Sequence, residues 1–438
     1  MPRTRPWSSL LSPLTWRYAL AAIGPAGSSG AQFLLNLVLL SQVSAAAFGR
    51  FTFLLIVAQF AAAIWSALFC APLPALLADL RESERASVIH RLFFINLVGA
   101  ALAGALLLVT AHLVGETWSA GGVFALYAAL ALVRWFRRAQ AYVVARPLRS
   151  TTSDLGYCAM LLGGTVLLWT SGKATTEGAY WLLTASVIVG LLPFARFGAP
   201  RGRDHAHART RLTAFWRQHV RWSLFGVVAT EATTNAHAYL VTSFLGAGAF
   251  APLAAGALPV RPVNVLGNAL CESERARFAA LADEHAPDAL RHGLRHFRNV
   301  LLLGWVATAA ATIALFVLRP SLLYPQNYHL PEIAVAAALW MGTALIRLLF
   351  TPGATLLQAI GEFRALAMMS CRASVVTLAA TGVLVMLAPP EWSIVGVLIG
   401  ETMILVLIER RARAALTDAD RLHAATPPAP GAETIWQA

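Results

Sequence analysis

Long apolar stretches follow one another along the chain, each parted from the next by a short polar segment. A helix needs about 20 apolar residues to cross the hydrocarbon of a bilayer, and twelve stretches approach or exceed that length. In the first half they are Tyr18–Leu40, Phe51–Leu77, Leu92–Leu113, Gly121–Ala145, Leu155–Thr170 and Gly178–Phe194. In the second half they are Trp222–Leu245, Ala251–Leu270, Val300–Leu318, Glu332–Ile360, Ala365–Leu387 and Trp392–Ile408. Several contain proline (Pro25, Pro72, Pro74, Pro259, Pro262, Pro352), which lipid-buried helices tolerate where neighbours re-satisfy the freed backbone groups. The first stretch is too long for a signal-peptide apolar region and is expected to remain as a span. The pattern predicts an all-α polytopic membrane protein of about 12 transmembrane helices.

The only long polar break before the C-terminal tail runs from Arg196 to His219. It divides the chain into a six-span lobe over 1–195, a basic linker over 196–219, a second six-span lobe over 220–410 and a tail over 411–438. Weak self-similarity supports the division. Leu40-Ser41-Gln42-Val43-Ser44-Ala45-Ala46-Ala47-Phe48 closes the first span, and Thr242-Ser243-Phe244-Leu245-Gly246-Ala247-Gly248-Ala249-Phe250 closes the seventh at the matching point. Repeats that start on the same side are parallel, related by an axis along the membrane normal. The stretch from Ala424, with Pro427, Pro428 and Pro430, is expected to be disordered.

Composition agrees: 58% of residues are hydrophobic, 13% are charged and the mean hydropathy is +0.64, against about a quarter charged in soluble domains. The net charge of +13 does not point to nucleic acid, because the basic residues sit between the apolar runs. With the N-terminus in the cytoplasm, 27 of the 34 Arg and Lys residues fall on the inner side, and only Arg50, Lys173 and Arg319 fall on the outer side. That asymmetry sets both termini and the linker inside. Cys70, Cys158, Cys271 and Cys371 lie in or beside apolar runs without CxxC spacing, so neither a disulfide frame nor a zinc site is expected. No cofactor is expected. Trp7, Trp16, Trp118, Trp216, Trp222 and Trp392 suit interfacial belts.

The segment from Leu39 to Phe51, following a Gly/Ser-rich first span, resembles the start of Wzx-type polysaccharide and O-antigen flippases of the multidrug/oligosaccharidyl-lipid/polysaccharide exporter superfamily. Its aromatic-Gly pair Phe48-Gly49 and the seventh-to-eighth connection from Phe244-Leu245-Gly246 to Pro262-Val263-Asn264 carry the likeness. The resemblance implies two six-helix lobes around a central cavity that opens alternately to either face. It also implies a polyprenyl-diphosphate-linked oligosaccharide as cargo, moved from the cytoplasmic to the periplasmic leaflet of a bacterial inner membrane. Membrane lipids, polysaccharide polymerase and glycosyltransferases would be its partners.

Ionisable residues within spans are costly and need a reason. Arg134, Arg137 and Arg138 share one helical face; they can grip a diphosphate bidentately, or snorkel to the inner interface. Arg261, between Pro259 and Pro262, either lines a cavity where the helix unwinds or pairs with a neighbouring acid. Arg347 and Arg372 can bind substrate or snorkel. Glu231, with Asn235 one turn on, and Glu401 can couple an ion, or can be fixed partners of the span arginines. His237 reads as an interior histidine, and His205-Ala206-His207 as a solvated pair.

A membrane glycosyltransferase, ligase or polymerase is the competing class. The longest outer loop, Arg319–Pro331, has no acidic pair, and Asp418-Ala419-Asp420 has no nucleotide-binding domain around it. No P-loop, dinucleotide fingerprint or nucleophile motif is present. Within carriers, a drug/cation antiporter of the same superfamily is the alternative, and span arginines favour an anionic head group over it.

Overall fold

A computed structural model describes residues 13–70, 73, 77, 82–144, 146–195, 221–283, 287–318 and 330–425. All described regular structure is helical. The first half comprises α1 (Pro13–Gln42), α2 (Ala45–Trp65), α3 (Glu82–Leu113), α4 (Trp118–Val143), α5 (Pro147–Ser171) and α6 (Thr176–Leu191). The second comprises α7 (Arg221–Leu245), α8 (Ala247–Ala257), α9 (Arg261–Asp283), α10 (Pro287–Leu318), α11 (Leu330–Ala359), α12 (Phe363–Leu387) and α13 (Ser393–Ala425). Every predicted span meets one of these helices, except that the eighth is met by two: α8 and α9 are joined by the 3-10 turn Leu258–Val260. Pro259 lies in that turn and Pro262 just after it, which is where the missing N–H groups stop an α-helix from running through.

Among the described residues, eight helices are long and apolar enough to cross a membrane: α2 with its π-turn Ser66–Cys70, α3, α4, α6 and α10 to α13. The spans of α5 and α7 fall short because they contain polar residues, Thr151 to Asp154 in α5 and Glu231 to Asn235 in α7. Of these, Ser153 and Asp154 in α5 and Thr233 in α7 are buried in protein. The chain is a multi-pass membrane protein.

One difference from the sequence expectation concerns the end of an element. α13 continues to Ala425, so the tail expected from 411 is helical for its first part. No breaker stands in Arg410 to Leu416, and proline first appears at Pro427. Asp418-Ala419-Asp420 therefore lies on a helix. The linker over 196–219, most of the Arg319–Pro331 loop and the segment beyond 425 lie outside the described residues.

We call the face where α2, α4, α6, α8, α11 and α13 begin the distal face, and the opposite one proximal. Three distal starts carry hydroxyl caps: Ser44 Oγ accepts from Ala47 N at 3.3 Å, Thr117 Oγ1 from Ala120 N at 3.2 Å and Thr175 Oγ1 from Gly178 N at 3.0 Å. Each satisfies one of the N–H groups a helix start leaves open. The matching turns of the two halves are both tight. α1 passes into α2 through Val43-Ser44, and α7 into α8 through Gly246 alone, whose φ of 85° suits glycine.

Within the first lobe α3 packs on α4, α1 on α5, and α6 on both α4 and α5. Within the second, α12 packs on α7 and α13, while α11 gathers α8, α9, α10 and α13. Between lobes the main contact is α2 against α8, with α7 also touching α2 and α1 touching α9. The largest buried apolar cluster crosses this boundary in the distal half, joining Phe48, Phe51, Leu54, Phe124 and Tyr180 to Phe250, Leu253, Leu258 and Ile333. In the proximal half the cores are separate. One lobe has Trp65, Phe69, Leu92 and Phe136; the other has Phe278, Phe297 and Leu348 beside Leu357, Met369 and Ile408. Apolar burial is what holds packed helices in register, so the lobes are joined most firmly at the distal face. Leu102 and Leu106 on α3, Leu303 on α10, and Val383 and Leu387 on α12 point outward, as a lipid-facing sheath must.

Candidate functional site

The nine residues singled out from sequence resolve into two polar clusters, one arginine without a partner among the described residues, and one outlier. The first cluster lies in the second lobe. Glu231, Asn235 and Tyr239 occur at intervals of four on α7 and so share one face. Asn235 Nδ2 donates to Glu231 Oε1 at 2.6 Å, and the Tyr239 hydroxyl lies 3.5 Å from the same oxygen. This face looks toward the first lobe, because the Tyr239 ring meets Phe53 and Phe60 of α2 at centroid distances of 6.2 and 6.3 Å. Beside it Arg347 of α11 donates to Glu401 of α13 and, at 3.3 Å, to Thr234 of α7. Glu401 is 2% exposed, whereas the Arg347 side chain keeps 32% of its surface accessible. The carboxylate is thus sealed in the lobe, while the arginine side chain stays partly accessible. Glu401 is paired with Arg347.

What lets these groups approach is the packing behind them. Thr233 Oγ1 and Ser374 Oγ lie 2.8 Å apart, and Ser374 Oγ donates to Ala229 O at 2.5 Å, tying α7 to α12. Gly400, next to Glu401, has no room for a side chain because a Cβ there would overlap the Thr377 hydroxyl. α12 and α13 therefore approach closely, and Glu401 is delivered to Arg347.

The second cluster is inside the first lobe. Arg134 Nη2 donates to Asp154 Oδ1 at 2.6 Å and Arg138 Nη2 to Asp154 Oδ2 at 2.7 Å, so one carboxylate serves both arginines. Arg134 Nε also donates to Ser153 Oγ at 3.0 Å, and Ser153 Oγ donates to Gly190 O at 2.5 Å. Gly190 is required: a Cβ there would stand 2.5 Å from Arg134 Nε. Arg134 is 8% exposed and Asp154 2%. Both guanidiniums are engaged by Asp154. Arg137, on the same turn, points elsewhere, donating to Gln140 Oε1 at 2.9 Å with its guanidinium 3.7 Å above the Phe93 ring. The shared face of three arginines is therefore divided between α5 and α3.

Arg261 begins α9 immediately after the 3-10 turn. It is half-buried, and among the described residues it has no hydrogen bond or ion pair. α8 packs on α2 and α9 touches α1, so this break runs along the boundary between lobes. Arg372 is set apart. It is exposed on α12, in the third turn of its helix, in one stripe with Met368, Val375 and Leu378.

His237 is buried at 3% and meets Trp340 edge-on at 4.7 Å. It is interior as expected, but its Nδ1 has no hydrogen-bond partner among the described residues. No group of three or more metal-ligating side chains is found among the described residues. Sequence reasoning missed Asp154, Ser153, Thr234 and Tyr239. Asp154 could have been found, since it stands one residue before the assigned start of the fifth span and is the nearest acid to the arginine trio on the same side of the membrane.

No protein-family model matches the chain and no curated protein matches it. Solved structures do. The chain is similar to an inward-facing multidrug resistance MATE family transporter of the MOP superfamily, with 12% identity, 90% of this chain and 96% of that one covered, and a TM-score of 0.70. An outward-facing MATE transporter of the same superfamily gives 14% identity, 92% and 96% coverage, and 0.60. A MOP superfamily transporter from Pyrococcus furiosus, described by a reversed polarity of its binding pocket, gives 11% identity, 92% and 96% coverage, and 0.57. The fold is that of these two-lobed transporters.

Proposed function

We propose that the chain is an alternating-access carrier whose cargo bears an anionic head group, and specifically a flippase for a polyprenyl-diphosphate-linked oligosaccharide of surface polysaccharide synthesis. Rocking of two lobes about a fixed boundary is how parallel-repeat carriers of this architecture expose a site to each side in turn. The firm distal and divided proximal cores correspond to a state open to the proximal side. The higher TM-score against an inward-facing than an outward-facing relative, 0.70 against 0.60, supports the same reading. With the proximal face in the cytoplasm of a bacterial inner membrane, that state loads from the inner leaflet.

The observation that carries the cargo assignment is Arg261: a permanently charged side chain, without a partner among the described residues, at a helix break on the lobe boundary. Unpaired charge at membrane depth costs several kcal/mol and persists where it serves a ligand. Arg347, partly accessible beside Glu401, is the second donor. Arg134 and Arg138 shape the wall through Asp154, and Arg372 meets lipid head groups. Glu231, held by an amide and a phenol and by no direct ion pair among the described residues, is the coupling residue, accepting a proton or a cation as the lobes exchange states.

Arg261→Ala, in a strain whose surface polysaccharide depends on this carrier, is expected to lower the polysaccharide at equal protein level. Losing a charge-assisted contact weakens substrate engagement on the order of 10- to 100-fold. Unchanged polysaccharide sinks the assignment. Glu231→Gln is expected to remove the dependence of transport on pH or sodium while sparing binding of lipid-linked substrate; a preserved dependence removes Glu231 from coupling. The same accessible carboxylate favours the second reading, a drug/cation antiporter. That reading prevails if Arg261→Ala leaves polysaccharide intact and Glu231→Gln abolishes drug efflux.

A further inference from the structure

We infer that the proximal end of the second lobe carries a docking site for an anionic phospholipid, in a groove between α10 and α13, separate from the transport boundary. Two adjoining cavities of ≈ 360 Å³ and ≈ 380 Å³ occupy this groove. Their floor is α11, through Leu349 and Gly353. One wall is α10, where Arg291, Arg295 and Arg298 recur at helical spacing on a single face. The other wall is α13, with Arg410 and Arg413 around Glu409.

The charge is unbalanced. Glu409 accepts from Arg298 at 2.5 Å and lies 3.7 Å from Arg413, so one carboxylate faces several guanidiniums. Arg291 also leans on Asp288 at 3.0 Å, but that acid is 97% exposed at the rim. Arg298 Nε is buried in the groove with no hydrogen-bond partner among the described residues. Five guanidiniums on the two walls against the single carboxylate of Glu409 call for an occupant that brings negative charge.

The neighbouring surface identifies which anion. Along α13 the exposed stripe runs from Ile399 through Val406 to Arg410 and Arg413; along α10 it runs from Val306 and Leu303 to Arg295. Both stripes change from apolar to basic at the level of the groove, and Leu405 and Val406 line the cavity itself. A phosphate among the arginines with acyl chains along Val406 and Leu303 satisfies both halves of the surface, and basic pockets between helices at this level suit acidic lipid head groups. A free anion would leave the apolar half unused.

The test is a titration of purified full-length protein in detergent micelles with phosphatidylglycerol, phosphatidylcholine or inorganic phosphate, reading the thermal unfolding midpoint. Phosphatidylglycerol alone is expected to raise it. Arg410→Gln/Arg413→Gln, which alters exposed side chains, is expected to keep the starting midpoint and to need roughly 25-fold more phosphatidylglycerol for the same rise. Arg298→Gln, measured separately, should also lose the response. An unaltered response in the double variant overturns the site, and so does an equal rise with phosphatidylcholine. A rise with inorganic phosphate that matches phosphatidylglycerol overturns the lipid as its occupant.

Discussion

Asp154→Ala is expected to cost the protein more stability than any substitution at the lobe boundary. The carboxylate neutralises Arg134 and Arg138 at 2.6 and 2.7 Å in a site where it is 2% exposed. Its removal leaves two guanidiniums facing one another inside the lobe, and breaking a buried pair from one side costs about 3–5 kcal/mol. For a lobe of this size the unfolding midpoint should fall on the order of 10 °C, measured by thermal loss of the monodisperse peak in size-exclusion chromatography. Asp154→Asn keeps the shape and one acceptor, and is expected to fall between. The decisive control is Arg134→Met/Asp154→Leu/Arg138→Met, which removes all three charges and should recover a large part of the loss. An Asp154→Ala protein that melts with the wild type would show that the arginines are solvated and the clamp does not exist.

This clamp also marks where sequence reasoning runs short. The spans were legible because lipid imposes a length and a composition on every helix, and the charge asymmetry between loops fixes the count. Arg347 and Glu401 were legible individually, since an ionisable group at depth announces itself. That they meet one another was not, because 54 residues and a whole helix stand between them. Close helix approach at Gly400 and Gly190 decides such meetings, and hydropathy does not register where a missing side chain lets two backbones draw near. Asp154 was hidden for a different reason: at the edge of a span, a carboxylate reads as the first solvated residue of a loop. Helix pairing, which turns it inward onto Arg134, is a tertiary fact. Arg261 was the reverse case, where two prolines three residues apart wrote the helix break into the sequence itself.

The largest functional effect is expected from locking the distal boundary. Gly49 of α2 lies against the start of α8, so close that a Cβ would overlap the Ala247 carbonyl, and the Ala46 Cβ is 3.9 Å from where a Cβ on Gly248 would stand. The second distance falls in the range a disulfide spans without backbone movement. Ala46→Cys/Gly248→Cys, on a background with Cys70, Cys158, Cys271 and Cys371 replaced, should therefore cross-link the lobes. If the distal face is periplasmic, the bond should form in cells without added oxidant. Transport should then fall to background and return on reduction, because a boundary that must part in each cycle is held shut. Gly49→Val is the opposing arm. Its side chain meets backbone that cannot rotate away, and an overpacked contact costs about 1–3 kcal/mol in the distal-closed state alone. The populations should shift roughly 5- to 150-fold toward the distal-open state, and the Ala46→Cys/Gly248→Cys cross-link should form poorly in that background. A cross-linked protein that still transports at the wild-type rate would mean that the lobes do not separate at this face, and alternating access about the α2–α8 contact would have to be abandoned.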